Sequence, residues 1–419
     1  MTTRKSFLES GHLPTLVSAF LYFDVSFMVW VLLGPLAPFL REQLNLTSTQ
    51  QGLLVAVPLL GGSLFRPVLG VLADRIGGRR TGLIGLGLTL VPLLIGWKLA
   101  STIGHFYTLG FLLGIAGASF AVALPLASRW YPPEYQGLAM GIAGAGNSGS
   151  LLATLCAPRL AERFGWASTF GLMVLPLLVV ALLFALMAKD SPHRSAPPAR
   201  RDYAAVMKDS DTLWFGFLYS LTFGGFVGFT SFLTTFFHNQ YHVSRVGAGD
   251  LTTFVVVAGS GLRPVGGWLA DRIGGYPLLL GLLFAVAACL AAAATLPSLP
   301  VVMVILGAAV GMLGMGNGAV FQLVPQRFPD RMGIVTGIVG AAGGLGGFFL
   351  PSVLGAVKDA TGTYAPGLML FAGAFLVGTL ALLELGTRWT VNWRPRARAQ
   401  SGIFCYRGVI KRLLGEEAA

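Results

Sequence analysis

Twelve apolar runs of about 20 residues, parted by short charged or Pro/Gly-rich breaks, decide most of what this chain can become. Hydrocarbon offers no partner to a backbone N–H or C=O, so a run of that length has one stable form, a membrane-crossing helix. The runs lie at residues 16–40, 50–72, 81–100, 105–128, 137–158 and 166–188, then 212–237, 250–270, 277–296, 299–325, 332–357 and 366–386. We number them spans 1 to 12. Charged side chains make up 11% of the chain, against roughly 25% in soluble domains. A disordered chain and a soluble enzyme are thereby excluded. Arg4 and Lys5 precede the first run as in a signal peptide, but that run is too long for a cleavable apolar region and reads as a span.

The spans form two sets of six. Residues 1–188 make one half and 212–386 the other, with a Pro-rich polar linker at 189–211 and a basic tail at 387–419. With the N-terminus inside, 21 Lys and Arg fall on the side of the termini and linker and six on the opposite side. Arg159 and Arg163, together in one outer loop, are a mild departure. This bias predicts a multi-pass protein of the cell membrane with both termini in the cytoplasm. The formal charge of +12 is then a topology signal and argues against nucleic acid as a partner. The halves are also copies of each other. Residues 63–78 read SLFRPVLGVLADRIGG and residues 260–275 read SGLRPVGGWLADRIGG, twelve identities in sixteen at an offset of 197. Duplicated bundles are an architecture of secondary transporters, whose site lies near the midplane between the repeats.

The stretch Gly70-Val-Leu-Ala-Asp74-Arg75-Ile-Gly-Gly-Arg-Arg resembles the cytoplasmic loop motif of the major facilitator superfamily, and Asp271 and Arg272 stand in its partial copy. The resemblance covers about residues 10 to 390 and implies an all-α membrane fold of twelve helices in two pseudo-symmetric bundles. In it Asp74 is expected to cap a neighbouring helix and Arg75 to pair with an acid across the bundle.

Four Asp, Glu, Lys or Arg residues fall well inside the spans: Asp24, Arg66, Arg263 and Glu384. An arginine at a span centre costs about 2.5–3.5 kcal/mol on insertion scales, so its presence needs a reason. Arg66 and Arg263 are repeat mates, each followed by proline, and neither has an acid three or four positions away. Two guanidinium groups facing one cavity call for an anion, and their planar forks suit an oxyanion better than a spherical halide. Snorkelling to the headgroups and an ion pair with Asp24 are the competing readings.

Span 5 reads Gly141-Ile-Ala-Gly144-Ala-Gly146-Asn147-Ser-Gly and span 11 reads Gly337-Ile-Val-Gly340-Ala-Ala-Gly343-Gly-Leu-Gly-Gly. Gly144, Gly146, Gly340 and Gly343 are expected to let helices meet backbone to backbone and slide. The GxGxxG within span 5 has no strand before it, so a dinucleotide site is excluded. These two stretches, with FRP and LRP on spans 2 and 8, resemble the signatures of the nitrate/nitrite porter family. So does Leu218-Tyr219-Ser-Leu-Thr-Phe223-Gly on span 7. The resemblance implies that Arg66 and Arg263 hold nitrate or nitrite, that Asn147 and Tyr219 donate hydrogen bonds, and that Phe223, Phe120 and Phe27 wall the pocket. An inter-helix hydrogen bond remains the plainer role for Asn147, and ordinary core packing for the phenylalanines.

Asp24 is a candidate proton carrier, because burial favours the protonated carboxyl. The alternative is a permanently ionised partner of an arginine. Cys156, Cys289 and Cys405 have no metal-ligand or disulfide spacing, so no metal and no cofactor is expected. In the tail, Ile403, Tyr406, Ile410 and Leu413 share a helical face that could lie on anionic lipid. The expected function is a monomeric secondary porter taking up nitrate with protons by alternating access. Nitrate/nitrite exchange, a porter for another small organic anion, and a non-transporting sensor on the same fold are the alternatives. No nucleophile–base–orienter set favours an enzyme.

Overall fold

The computed structural model describes residues 6–192, 200–328 and 331–404. Among them every regular element is helical. The first half comprises span 1 (Leu13–Leu44), span 2 (Ser48–Ile76), span 3 (Gly78–Lys98), span 4 (Ile103–Ser128), span 5 (Pro133–Gly144 and Gly149–Phe164) and span 6 (Trp166–Met187). A linker helix, Arg200–Lys208, leads to span 7 (Ser210–Tyr241), span 8 (Arg245–Ile273) and span 9 (Gly275–Ala293). Span 10 (Leu299–Arg327), span 11 (Met332–Thr361), span 12 (Ala365–Asn392) and a short helix Pro395–Ser401 complete the chain. Ten of these helices are long and apolar enough to cross a membrane by length and composition. Spans 5 and 8 are the two others. A 3-10 turn at Ala145–Ser148 cuts span 5, and Asp250, Arg263 and several Gly, Ser and Thr residues dilute span 8.

The repeated Gly-Gly is a backbone requirement. Gly77 and Gly274 turn the chain between spans 2 and 3 and between spans 8 and 9 at φ +106° and +92°, a region L side chains avoid. A Cβ on Gly77 would stand 2.4 Å from Asp190 Oδ2. That approach brings a second carboxylate to this turn. Asp190 caps span 3, accepting from the Arg79 N–H at 3.1 Å, whereas Asp74 pairs with Arg129 at 2.7 Å and accepts from the Tyr203 hydroxyl at 3.2 Å. Arg75 is exposed, and so is Arg272, which lies over the Trp268 ring.

Two boundaries also move. Span 7 already begins at Ser210, inside the expected linker, and span 12 runs past 386 to Asn392. The buried carboxylate of Asp211 explains both, since it accepts from Trp389 Nε1 at 2.8 Å, Trp393 Nε1 at 3.3 Å and Arg327 Nε. Trp389 and Trp393, in the expected tail, thus tie the end of span 12 to the start of span 7. The amphipathic face predicted through Leu413 lies, beyond Phe404, outside the described residues.

Spans 2 and 11 pack along each other, as do spans 5 and 8, and these pairs join the halves. On the side away from the linker the join is polar. Asp359 accepts from the Ser48 and Thr49 N–H groups at 2.9 and 2.7 Å, Arg159 meets Asp250 at 2.7 Å, and Arg245 meets Glu42 at 3.1 Å. Nearer the middle, Ser63 Oγ donates to the Ala341 carbonyl. Toward the linker, a Cβ on Gly141, Gly333 or Gly337 would meet nothing within 4 Å. Among the described residues, the polar contacts that close the two halves together lie on the far side, and these linker-side glycines face open space.

Candidate functional site

Arg66 sits at the innermost point of the closed region and is 1% exposed. Its guanidinium carbon lies 5.3 Å from the Trp30 ring centre, 5.3 Å from Phe120 and 5.0 Å from Phe223. Each desolvated aromatic face attracts a cation by up to about 2 kcal/mol. Nε donates to the Gly117 carbonyl at 3.1 Å and Nη1 to the Gly340 carbonyl of the other half, while Nη2 has no partner. The Gly117 oxygen is available for a local reason. Span 4 breaks at Ala118–Ser119, and the Ala121 N–H turns to Ala118 at 3.0 Å, leaving Gly117 without its helical donor.

Arg263, on span 8, is half-buried, and its buried Nη1 has no partner. Neither arginine forms an ion pair among the described residues, so the competing reading, a pair with Asp24, is not made. Each guanidinium stands in the other's field, and Tyr219 in the field of both. The Tyr219 ring stacks on Phe223 at 5.1 Å and meets Phe321 edge-on at 4.9 Å.

Other predicted residues stand further off. Phe27 is fully buried but rests edge-on against Trp30 and Phe23, so it props the cage. Asn147 is 1% exposed in the 3-10 turn of span 5, and with its amide turned to the orientation its surroundings satisfy, the nitrogen donates to the carbonyls of Gly144 and Ala145 at 3.1 and 3.2 Å. Asp24 is half-buried, accepting from Ser148 Oγ at 2.7 Å and from the Gly149 N–H. A Cβ on Gly146 would lie 2.8 Å from the Asp24 nitrogen, and one on Gly149 would overlap the Asp24 carbonyl at 1.9 Å. Span 1 therefore lies directly on the glycines of span 5. A Cβ on Gly343 would reach Tyr219 at 2.5 Å and one on Gly340 would reach Phe120 at 3.3 Å. On Gly144 it would meet only Leu124, at 4.0 Å, so Gly144 is no close approach in this conformation.

Sequence reasoning missed Trp30 and Phe321. Trp30 stands three residues after Phe27, on the same helical face, and that spacing was the available signal. Its Nε1 donates to the Pro58 carbonyl at 2.7 Å, which fixes the ring beside Arg66. The assembled groups are fixed hydrogen-bond donors and aromatic walls, suited to holding a small anion between two halves that can part.

The description "Major Facilitator Superfamily" matches residues 19–351. A Mycobacterium tuberculosis protein, "Probable nitrate/nitrite transporter NarK2", is 38% identical over 88% of this chain and 95% of its own. The Bacillus subtilis "Nitrite extrusion protein" is 35% identical, covering 90% and 93%. The solved structure of a D-xylose–proton symporter superposes with a TM-score of 0.74 at 16% identity, covering 92% of this chain and 98% of that one. A human organic anion transporter, MFSD10, gives 0.70 at 18% identity over 88% and 99%. The first two carry the closer kinship and the last two the fold, and together they place this chain in the major facilitator superfamily, as a member of its nitrate/nitrite porter family.

Proposed function

We propose that this protein carries nitrate and nitrite across the cell membrane by alternating access, acting as a monomer with both termini in the cytoplasm. The observation that carries this reading is Arg66. A fully buried guanidinium, gripped by carbonyls of both halves and walled by three aromatic rings, keeps one nitrogen without a protein partner. A planar oxyanion takes paired N–H bonds from such forks, and flat rings line its faces. The relatives named for nitrate and nitrite support the choice of anion.

Uptake has to overcome the membrane potential, about 2.3 kcal/mol per charge per 100 mV. We assign the compensating proton to Asp24, which belongs to the first half and hydrogen-bonds to Ser148 next to Asn147. In proteoliposomes, Asp24→Asn should abolish nitrate accumulation driven by an imposed proton gradient while sparing nitrate/nitrite counterflow. Accumulation retained by the variant removes Asp24 from coupling. The second reading is obligatory exchange, favoured by the relative named for nitrite extrusion. It predicts that the unaltered protein takes up nitrate only when the vesicles are preloaded with nitrite.

A further inference from the structure

Asn317 on span 10 is fully buried, and neither its amide nitrogen nor its carbonyl oxygen has a hydrogen-bond partner. A buried amide left unpaired at both ends is destabilising, so its place needs a reason. Its neighbours fix where it stands. A Cβ on Gly316 would lie 2.8 Å from Thr222 Cγ2 of span 7, and one on Gly318 would lie 2.9 Å from the Arg263 carbonyl of span 8. Asn317 thus occupies the angle between those spans at the level of Arg263. One turn on, Phe321 packs against Tyr219 and Phe120, so this face of span 10 is the pocket face.

The duplication sharpens the placement. A Cβ on Gly114 would overlap Gly61 and Gly62, and one on Gly314 would overlap Gly259, the repeat mate of Gly62. Spans 4 and 10 therefore match with Gly114 on Gly314, and Asn317 falls where the first half has Gly117. Gly117 is the residue whose carbonyl holds Arg66. The same comparison of spans 5 and 11 sets Asn147 against Gly343. Each half then brings one arginine and one asparagine to the centre, from non-equivalent spans.

We infer that Asn317 is a ligand of the transported anion: its carbonyl accepts from Arg263 Nη1, and its Nδ2–H donates to an oxygen of nitrate or nitrite. The inference rests on the porter reading and adds the residue that sets the anion on the Arg263 side. Both orphaned ends of the amide, and the orphaned Nη1, are satisfied in one arrangement.

The test is nitrate titration and thermal unfolding of the full chain in nanodiscs. Asn317→Leu removes the unpaired amide and keeps the same branched side-chain skeleton. It should weaken nitrate binding roughly tenfold, the size of one lost hydrogen bond to a charged group, while melting at the same or a higher temperature. Nitrate affinity within twofold of the unaltered protein overturns the assignment, as does a lower melting temperature with unchanged affinity. Should Asn317→Leu fail to fold, Asn317→Asp decides, because a carboxylate can accept from Arg263 but cannot donate to an anion; retained affinity there overturns the inference. If the unaltered protein binds neither nitrate nor nitrite, the porter reading falls first and takes this assignment with it.

Discussion

Arg66 and Arg263 come from two copies of one sequence, yet Arg66 is caged and held by two carbonyls while Arg263 is half-buried with a free Nη1. The first half breaks span 4 beside its arginine and so frees the Gly117 carbonyl, whereas span 10 is continuous helix at the matching residue, Asn317. Trp30 and Phe120 flank Arg66; valines, Val227 and Val320, stand at the matching places of the second half. The duplication supplied two cations at matched depth, and later divergence made one a fixed anchor and left the other an arm with room to turn.

The largest effect that could break this contrast is on the arginines themselves. Arg66→Lys and Arg263→Lys keep the charge and lose the planar fork, so each should cut nitrate uptake in proteoliposomes by about a hundredfold. Arg66→Lys should also lower the melting temperature, because its two carbonyls lose their donors, while Arg263→Lys should leave it unchanged. Equal melting temperatures in the two variants would erase the distinction between anchor and arm.

A smaller effect tests the glycine-rich helices. Gly343→Ala puts a methyl group into the Tyr219 ring and should slow turnover severalfold. Gly144→Ala meets open space and should be tolerated, with a gain of up to about 1 kcal/mol from reduced backbone freedom in the unfolded chain. Similar turnover in both would mean that the ring at Tyr219 yields.

Much of this was legible in the sequence. Twelve spans, the repeat, the paired arginines and the glycine stretches follow from apolar run length, internal identity and charge placement. Trp30 was not legible as a wall of the cage, because a tryptophan in an apolar run looks like core until the Pro58 carbonyl is seen to orient it. The break that frees Gly117 leaves no proline or charge at Ala118–Ser119 to announce it. Asp190 and Asp211 looked like linker charges, and only folding brings them to a helix start and to two tryptophans.

The smallest effect concerns the linker side. Burial, with Asp74 adjacent, pushes the Tyr203 hydroxyl up to about 12. Its bond to Asp74 therefore stabilises fully below pH 10 and fades as pH rises through about 12. Tyr203→Phe should leave nitrate affinity unchanged and lower stability by less than about 1 kcal/mol near neutral pH, because the pair is partly solvated. Loss of affinity in that variant would connect the linker to the arginine pocket.

The Gly340 carbonyl on Arg66 has a kinetic consequence. A carrier that accumulates its cargo must make half of every cycle without it, and two bare cations at the midplane would make that journey slow. Carbonyl dipoles from both halves shield one of them, and the Gly340 oxygen moves with the half that has to swing away. Breaking that contact releases a donor as the far side parts, so the return trip and the next loading share one bond. Under the proton-coupled reading proposed above, that contact belongs to the unladen crossing, which is the step an obligatory exchanger lacks.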